Sequence, residues 1–176
     1  MFFQIQAARN IPPTKKMEIN TKNKIKTRKE ISTIVENLKK QGKRIVTCNG
    51  CFDILHAGHI KFLEEAKQQG DILIVGLNSD SSVKKNKGPK RPINNEKDRA
   101  IVLAALQCVD YITIFEEKTP IELLEAIKPD IHVNGEEYGE NCIEAPIVKK
   151  YGGNIHLIKL KEGFSTTNLI NKIKKT

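Results

Sequence analysis

The sequence predicts an α/β domain built on one doubly wound parallel sheet of five strands. Strand-like and helix-like segments alternate from residue 28 to the end, as in a parallel sheet with helices on both faces. Residues 72–75 form a continuous apolar run, which is typical of a strand that is covered on both faces. The chain of 176 residues is also long enough to bury one hydrophobic core. A single domain therefore accounts for the whole regular part of the sequence.

The order of the elements follows from apolar spacing. Ile31, Ile34, Val35 and Leu38 recur with helical periodicity from residue 28, and Gly42 ends that helix. Further helices are expected near residues 57–69, 95–107, 119–128, 143–151 and 165–173, and strands near residues 43–48, 71–77, 111–115, 131–133 and 155–160.

Several boundaries depend on local chemistry. Thr119, Pro120 and Glu122 have the order of an N-cap, a first-turn proline and a capping-box carboxylate. Ser165 is expected to cap the last helix. The polar segment 78–94 is predicted to be a loop whose basic part, residues 84–91, is mobile. Residues 1–24 lack periodicity and contain two consecutive prolines, so they are predicted to be a poorly ordered basic extension of a domain at 25–176.

The composition narrows the class of function. A formal net charge of +9 suits nucleic acid, an acidic membrane surface or a phosphate-rich small molecule. Only 5% of residues are aromatic and they are not interleaved with the basic runs, which argues against nucleic-acid binding. No apolar run approaches the roughly 20 residues of a membrane span, and the first residues lack the order of a secretory signal. A cytoplasmic protein is expected.

The loop after the first strand carries the clearest functional pattern. In doubly wound sheets, ligands bind beyond the carboxyl ends of the strands. His56 and His59 lie three residues apart at a helix start, so their imidazoles share one face. Gly58 between them lets a ligand approach the backbone N–H groups and the positive end of the helix dipole. The pattern predicts a site for an anion such as phosphate, and it lacks the further His/Cys pair that a zinc site requires.

Residues 56–59, His-Ala-Gly-His, resemble the His-x-Gly-His signature of the cytidylyltransferase-like nucleotidyltransferases, which have a Rossmann-like fold. Residues 165–167, Ser-Thr-Thr, are similar to the second signature of that superfamily. The segments 49–94, 98–106 and 108–111 resemble one subfamily, the adenylyltransferases of ADP-heptose synthesis, which serve lipopolysaccharide biosynthesis. The resemblance extends over residues 24–174. It fails at Asn134, Glu136 and Glu137, where the subfamily usually has a lysine, a glycine and an aspartate.

The resemblance implies a reaction and a set of site residues. AMP would pass from ATP to a heptose 1-phosphate and pyrophosphate would leave, with Mg²⁺ held largely by substrate oxygens and water. Arg99 is expected to make a bidentate phosphate contact. The residues implied as catalytic are His56, His59 and Lys84; as nucleotide-binding, Gly50, Cys51, Phe52, Gly58, His59, Arg99, Asn134, Gly135, Glu137, Tyr138, Ser165, Thr166 and Thr167; as substrate-binding, Asp53, Asn78, Asp80 and Lys87. A homo-oligomer is implied as well.

Three other functions stay open at this point. A CTP-dependent cytidylyltransferase acting on glycerol 3-phosphate or a related polyol phosphate would carry both signatures, although residues 88–94 resemble the heptose type. A thiol oxidoreductase is suggested by the C-x-x-C spacing of Cys48 and Cys51, two of four cysteines that are expected to be reduced in the cytoplasm. A nucleic-acid-binding protein is the remotest alternative and rests on net charge alone.

Overall fold

The computed structural model describes residues 21–159, 166–173 and 175. Within them, five strands form one sheet in the order β3-β2-β1-β4-β5, and every neighbouring pair is parallel. The strands are β1 (Ile45–Gly50), β2 (Ile72–Asn78), β3 (Tyr111–Phe115), β4 (Ile131–Gly135) and β5 (Asn154–Ile158). The predicted fold class is confirmed.

Helices connect the strands and cover both faces of the sheet. They are α1 (Arg28–Lys40), α2 (Ala57–Lys67), α3 (Asp80–Lys87), α4 (Glu96–Ala104), α5 (Ile121–Ile127), α6 (Ala145–Lys150) and α7 (Thr166–Ile173). None of the helices in the described residues is long and apolar enough to cross a membrane.

Two apolar layers hold the central strands. Val46 and Leu73 pack in one layer, together with buried side chains of α2 and α4. The adjacent residue on each strand, Ile45 before Val46 and Ile74 after Leu73, points into the other layer, which α1 and α5 complete. Because alternate side chains of a strand lie on opposite faces, both faces of β1 and β2 are apolar. This explains the continuous apolar run that the sequence shows in β2.

The structure corrects two local predictions. Residues 80–87 form the helix α3 inside the segment that was predicted to be a loop, and Ser79 caps it by accepting a hydrogen bond from the Ser82 amide at 3.1 Å. Helix α5 starts at Ile121, with Pro120 in the N-cap position and no side-chain cap, so the capping box expected at residues 119–122 is absent. A capping box occurs instead at Thr27 and Glu30, at the start of α1.

The N-terminal boundary also moves. Thr21–Lys24 form a short 3-10 helix, and Lys24 Nζ donates hydrogen bonds to the carbonyls of Leu106 at 3.0 Å and Val109 at 2.7 Å. Residues 21–24, which were assigned to the extension, therefore contact the domain. The other twenty residues of the predicted extension, and the predicted cap Ser165, lie outside the described residues.

The strand order determines where a ligand can bind. From β1 the chain proceeds to β2 and β3 on one side of the sheet, and then returns to β4 and β5 on the other side. The connections that leave β1 and β4 therefore diverge beyond their carboxyl ends. A crevice opens at such a switch point in doubly wound sheets.

Candidate active site

A cleft of about 750 Å³ lies at the carboxyl ends of the strands. Its lining includes Gly50 at the end of β1, Asn78 at the end of β2 and Asn134 at the end of β4. Thr119, in the loop after β3, also lines it. The cleft is therefore where the fold class predicts a ligand site.

The loop after β1 is shaped by a contact between Gly50 and Phe52. A Cβ atom on Gly50 would lie 2.9 Å from Phe52 Cε2, so only glycine fits at this position. Phe52 has a φ of 43°, which is a rare left-handed conformation for an aromatic residue. Its ring is buried and meets the His59 ring edge-on, with the centroids 5.3 Å apart. The ring of Phe52 therefore restricts the orientation of the His59 ring.

His56 and His59, the histidine pair, lie stacked at the start of α2. Their ring centroids are 3.8 Å apart and the rings are inclined by 16°. His56 is the N-cap residue of α2, and its Nδ1 accepts a hydrogen bond from the His59 amide at 3.4 Å. Because Nδ1 is an acceptor there, the proton of a neutral His56 imidazole is on Nε2. Both side chains, with Gly58 between them, line the cleft.

The histidine pair is uncharged at neutral pH. Burial and, to a smaller extent, the neighbouring His56 together lower the pKa of His59 to about 4. Burial also lowers the pKa of His56. Stacked imidazoles cannot both be cations without repelling each other, so the neutral state fits this geometry. Neutral imidazoles donate hydrogen bonds to phosphoryl oxygens, and the N-terminus of α2 adds backbone N–H groups that favour an anion.

Asp53, which was predicted to bind substrate, is directed into the protein. Its side chain is fully buried and accepts hydrogen bonds from Arg91 Nε at 2.6 Å and from the amides of Ile93 and Asn94 at 2.8 Å and 2.9 Å. Burial alone would raise the pKa of Asp53, but these hydrogen bonds outweigh burial and lower the pKa. The carboxylate connects the loop after β1 to the segment before α4. Asp53 is also among the residues that line the cleft, and its contact with substrate stays a prediction.

Arg99, which was predicted to bind phosphate, is likewise turned inward. Its side chain is fully buried and donates to the carbonyls of Cys51 and Asn94 and, at 2.8 Å, to Asp80 Oδ1. Arg99 and Asp80 do not line the cleft; they brace the loop after β1 through these bonds, and their predicted ligand contacts stay predictions. Asp53, Asp80, Arg91 and Arg99 together are called here the carboxylate–arginine network.

The two lysines that were predicted to act in the site, Lys84 and Lys87, both lie on α3. Lys87, at the last turn of the helix, lines the cleft, whereas Lys84 is exposed and does not. The catalytic role of Lys84 stays a prediction, which its exposed position outside the cleft lining does not support. Asn78 lines the cleft and is held by the hydrogen bond from its Nδ2 to Ser82 Oγ at 2.9 Å.

The opposite side of the cleft is formed by the segment after β4 and by α7. The predicted nucleotide-binding residues that line it are Asn134, Gly135, Glu137, Tyr138 and Thr166. Cys51 and Phe52 line the β1 side. Ser165 and the side chain of Thr167 lie outside what the structure describes.

Sequence reasoning missed several residues of the cleft. Lys118 and Thr119 follow β3, so the rule that ligands bind at strand ends could have found them. Ile143, Glu144 and Lys159 also line it, and no sequence pattern distinguishes them from ordinary loop residues. Among the described residues, no group of three or more His, Cys, Asp or Glu side chains could hold a metal ion.

The C-x-x-C spacing does not produce a redox pair in this structure. Cys48 is buried in the apolar layer beneath the sheet, and burial raises the pKa of its thiol. Cys51 lines the cleft, and burial raises its pKa too, in spite of the nearby Lys87 and Arg99. A reactive dithiol needs a thiolate at neutral pH, and neither environment provides one.

The fold and the cleft together define a Rossmann-like protein of the nucleotidyltransferase type. A cytidylyltransferase-like family model matches residues 47–172, and the chain belongs to that family. The lipopolysaccharide core biosynthesis protein from Thermoplasma volcanium GSS1 is 32% identical, with a TM-score of 0.56 over 68% of this chain and 98% of that one. The pantoate-beta-alanine ligase from Francisella tularensis, with a TM-score of 0.55, 19% identity and coverage of 86% and 78%, is similar in fold alone.

Curated relatives are similar over most of this chain. The bifunctional protein HldE of Aliarcobacter butzleri is 52% identical over 155 residues, which are 88% of this chain and 32% of that protein. The bifunctional protein HldE of Pelobacter propionicus is 49% identical over 152 residues, 86% of this chain and 31% of that protein. The chain therefore spans about a third of the length of these relatives.

Proposed function

We propose that the protein transfers AMP from ATP to a sugar 1-phosphate, a heptose 1-phosphate, and releases pyrophosphate. The observation that carries the proposal is the neutral histidine pair at the N-terminus of α2, facing a cleft at the switch point of the sheet. The similarity to HldE proteins and to a lipopolysaccharide core biosynthesis protein supports the sugar phosphate as acceptor.

The reaction requires positioning more than base catalysis. A phosphate oxygen of the acceptor bonds to the α-phosphorus of ATP, and the bond from that phosphorus to the pyrophosphate oxygen breaks. A phosphate monoester has a second pKa near 6, so it is already largely a dianion and needs no general base. The enzyme must align the groups and stabilise charge on the phosphoryl oxygens. His56, with its proton on Nε2, and His59 would donate hydrogen bonds to those oxygens.

The basic side chains of the cleft would hold the remaining phosphate charge. Lys87, Arg91 and Lys118 line it on the β2 and β3 side, across from the segment after β4. Arg91 keeps its Nε on Asp53, so its other guanidinium nitrogens can bind a phosphate without moving. Mg²⁺ would supply further charge neutralisation. A Mg²⁺ ion would be held mainly by substrate phosphates and water, as this ion usually is in phosphoryl-transfer sites.

A cytoplasmic location and a homo-oligomeric state belong to the same proposal. ATP and sugar phosphates are cytoplasmic metabolites, which supports a cytoplasmic location for the proposed reaction. Ile101 and Val102 are adjacent apolar residues on α4 that are 44% and 50% exposed, and they support burial against a second copy. Sedimentation velocity would show whether a monomer persists at micromolar concentration, which would contradict the oligomer.

A pyrophosphate-release assay tests the reaction. ATP, CTP and GTP are each combined with heptose 1-phosphate and with glycerol 3-phosphate, with and without Mg²⁺. We expect release only with a nucleotide, an acceptor and Mg²⁺ together, and the highest rate with ATP and heptose 1-phosphate. A preference for CTP with glycerol 3-phosphate would replace the substrates and keep the reaction class. No release with any pair would refute the proposed function.

A further inference from the structure

A buried carboxylate, that of Glu144, lies in the wall of the cleft. Glu144 follows the loop after β4 and immediately precedes α6, and it is only 6% exposed. It lines the same cleft as the histidine pair. A carboxylate in a buried position is costly unless hydrogen-bond donors surround it. The groups around Glu144 therefore indicate what it is for.

The protein supplies Glu144 with one donor. Asn134 Nδ2 donates to Glu144 Oε2 at 3.1 Å, and Asn134 is itself 6% exposed. Among the described residues, no Lys, Arg or His nitrogen lies within 4.0 Å of the carboxylate, and Oε1 accepts no hydrogen bond. Glu144 is thus a cleft-lining acceptor whose charge is not balanced by a neighbouring cation.

Asn134 determines the direction in which this acceptor can act. The hydrogen bond from Asn134 Nδ2 holds Glu144 Oε2 in place. The other carboxylate oxygen, Oε1, is left to accept a hydrogen bond from another group. In this chain the wall of the cleft therefore attracts hydrogen-bond donors and repels phosphate.

The surroundings of Glu144 suit a nucleoside. Tyr138 and Ile143 line the cleft nearby and are 62% and 60% exposed, so they offer apolar area to a flat or partly apolar group. Partial burial of its hydroxyl and the negative charges of Glu137 and Glu144 raise the pKa of Tyr138, in keeping with a position near these carboxylates. The phosphate-binding features, the histidine pair and Lys87, lie on other elements of the cleft.

We propose that Glu144, held by Asn134, is a specificity-determining residue that accepts a hydrogen bond from a donor group on the nucleoside of the NTP. The inference rests on the proposed function and names a contact within it. Two parts of a nucleoside carry such donors, the exocyclic amino group of adenine or cytosine and the ribose hydroxyls. Both present an N–H or O–H to a carboxylate, and a base edge that carries only carbonyl oxygens is repelled.

The test is nucleotide binding by calorimetry in Mg²⁺ without acceptor, so that no reaction occurs. The full chain and its Glu144→Gln variant are titrated with ATP, with purine riboside triphosphate, which lacks the amino group, and with the 2′-deoxy and 3′-deoxy forms of ATP. The substitution keeps size and the bond from Asn134 but removes the charge. We expect Glu144→Gln to weaken ATP binding about tenfold or more.

The analogues identify the donor. The analogue that lacks it should bind the wild type about tenfold more weakly than ATP does, and this difference should largely disappear in Glu144→Gln. If purine riboside triphosphate is the analogue whose weaker binding disappears in Glu144→Gln, the donor is the amino group of adenine. If it is a deoxy form of ATP, the donor is the corresponding ribose hydroxyl. Glu140→Gln is the matched control, because Glu140 is an exposed carboxylate of the same loop that does not line the cleft. It should bind ATP like the wild type.

Two failures are distinguishable. If the wild type binds ATP and Glu144→Gln binds it equally well, or if both proteins discriminate among the analogues in the same way, the role of Glu144 is refuted while the proposed function stands. If the wild type binds none of ATP, CTP and GTP, the proposed function itself is refuted. Thermal unfolding of each variant verifies that weaker binding does not come from a lost fold.

Discussion

The histidine pair and the carboxylate–arginine network begin within a few residues of each other, after the same strand, and they use polar side chains in opposite ways. The histidines are neutral, fixed by a backbone amide and by Phe52, and they face the cleft. All four side chains of the network are charged and bonded to one another or to the backbone; Arg91, which lines the cleft, is the member that also keeps guanidinium nitrogens for the phosphate contact proposed above. Charge near a ligand site therefore does not by itself indicate ligand binding. A charged group is available to a ligand only where the protein does not already use all of its hydrogen-bonding atoms.

The largest expected effect comes from breaking the network at Asp53. In Asp53→Ala, Arg91 and two backbone amides lose a buried carboxylate, and the free energy of unfolding should fall by about 3–5 kcal/mol. Urea denaturation measures the change. Asp71→Ala removes an exposed carboxylate that also pairs with a lysine, and it should cost far less. Equal losses in the two variants would show that the network is no more than surface pairing.

The next effect is on the rate, and it tests the other half of the comparison. His59→Ala should fold and bind ATP with similar affinity, and its kcat should fall by about 10²–10³, because the lost hydrogen bond forms mainly in the transition state. Steady-state kinetics beside calorimetric ATP binding separates the two quantities. A near-normal kcat with intact binding would mean that His59 serves only the structure of the loop.

Acid should destabilise the protein through histidines that are neutral when folded. Burial lowers the pKa of His132 from 6.5 to about 3, and its Nδ1 is 2.8 Å from Thr47 Oγ1. Below pH 6.5 the unfolded chain binds a proton that the folded protein does not, so stability falls as pH falls until the folded pKa is reached. His132→Asn should reduce this dependence by about 1.4 kcal/mol per pH unit between about pH 6.5 and pH 5. Urea denaturation at several pH values checks it, and an unchanged slope would contradict the buried neutral state.

The smallest effect separates two lysines of α3. Lys87→Ala should raise the KM for a phosphorylated substrate about tenfold, since one charge-assisted contact is lost. Lys84→Ala, one turn earlier and outside the cleft, should leave both kcat and KM within about twofold because surface charges interact weakly across water. The reverse ranking would mean that α3 changes position when substrate binds.

The sequence predicted most of the fold because its strands are apolar on both faces and its helices are periodic. It missed α3, which buries only Ser82 and Val83 and whose eight residues are otherwise polar. The prediction of a capping box at residues 119–122 was wrong because Pro120, and not Thr119, occupies the N-cap position of α5. A pattern of residue types shows which caps are available, and it does not show which one the tertiary structure uses.

The sequence indicated the position of the cleft where backbone geometry follows from the motif, and it did not indicate which side chains are buried, while the roles of the site residues stay predictions. His56, His59 and Gly50 line the cleft as expected. Asp53 and Arg99 follow the same motif-like segments, yet both are buried and bonded within the protein, which local sequence does not reveal. Glu144 was missed for the opposite reason, because its partner Asn134 lies ten residues away and only the folded chain brings them together.

The contact between Gly50 and Phe52 limits how this loop can evolve. A side chain at residue 50 would collide with the Phe52 ring, and the left-handed backbone of Phe52 is held in place by the packing of that ring. A change at either position alone would therefore disturb His59, which rests against Phe52. New substrates are reached more readily by mutation of the segment after β4, where Tyr138 and Ile143 can vary one at a time.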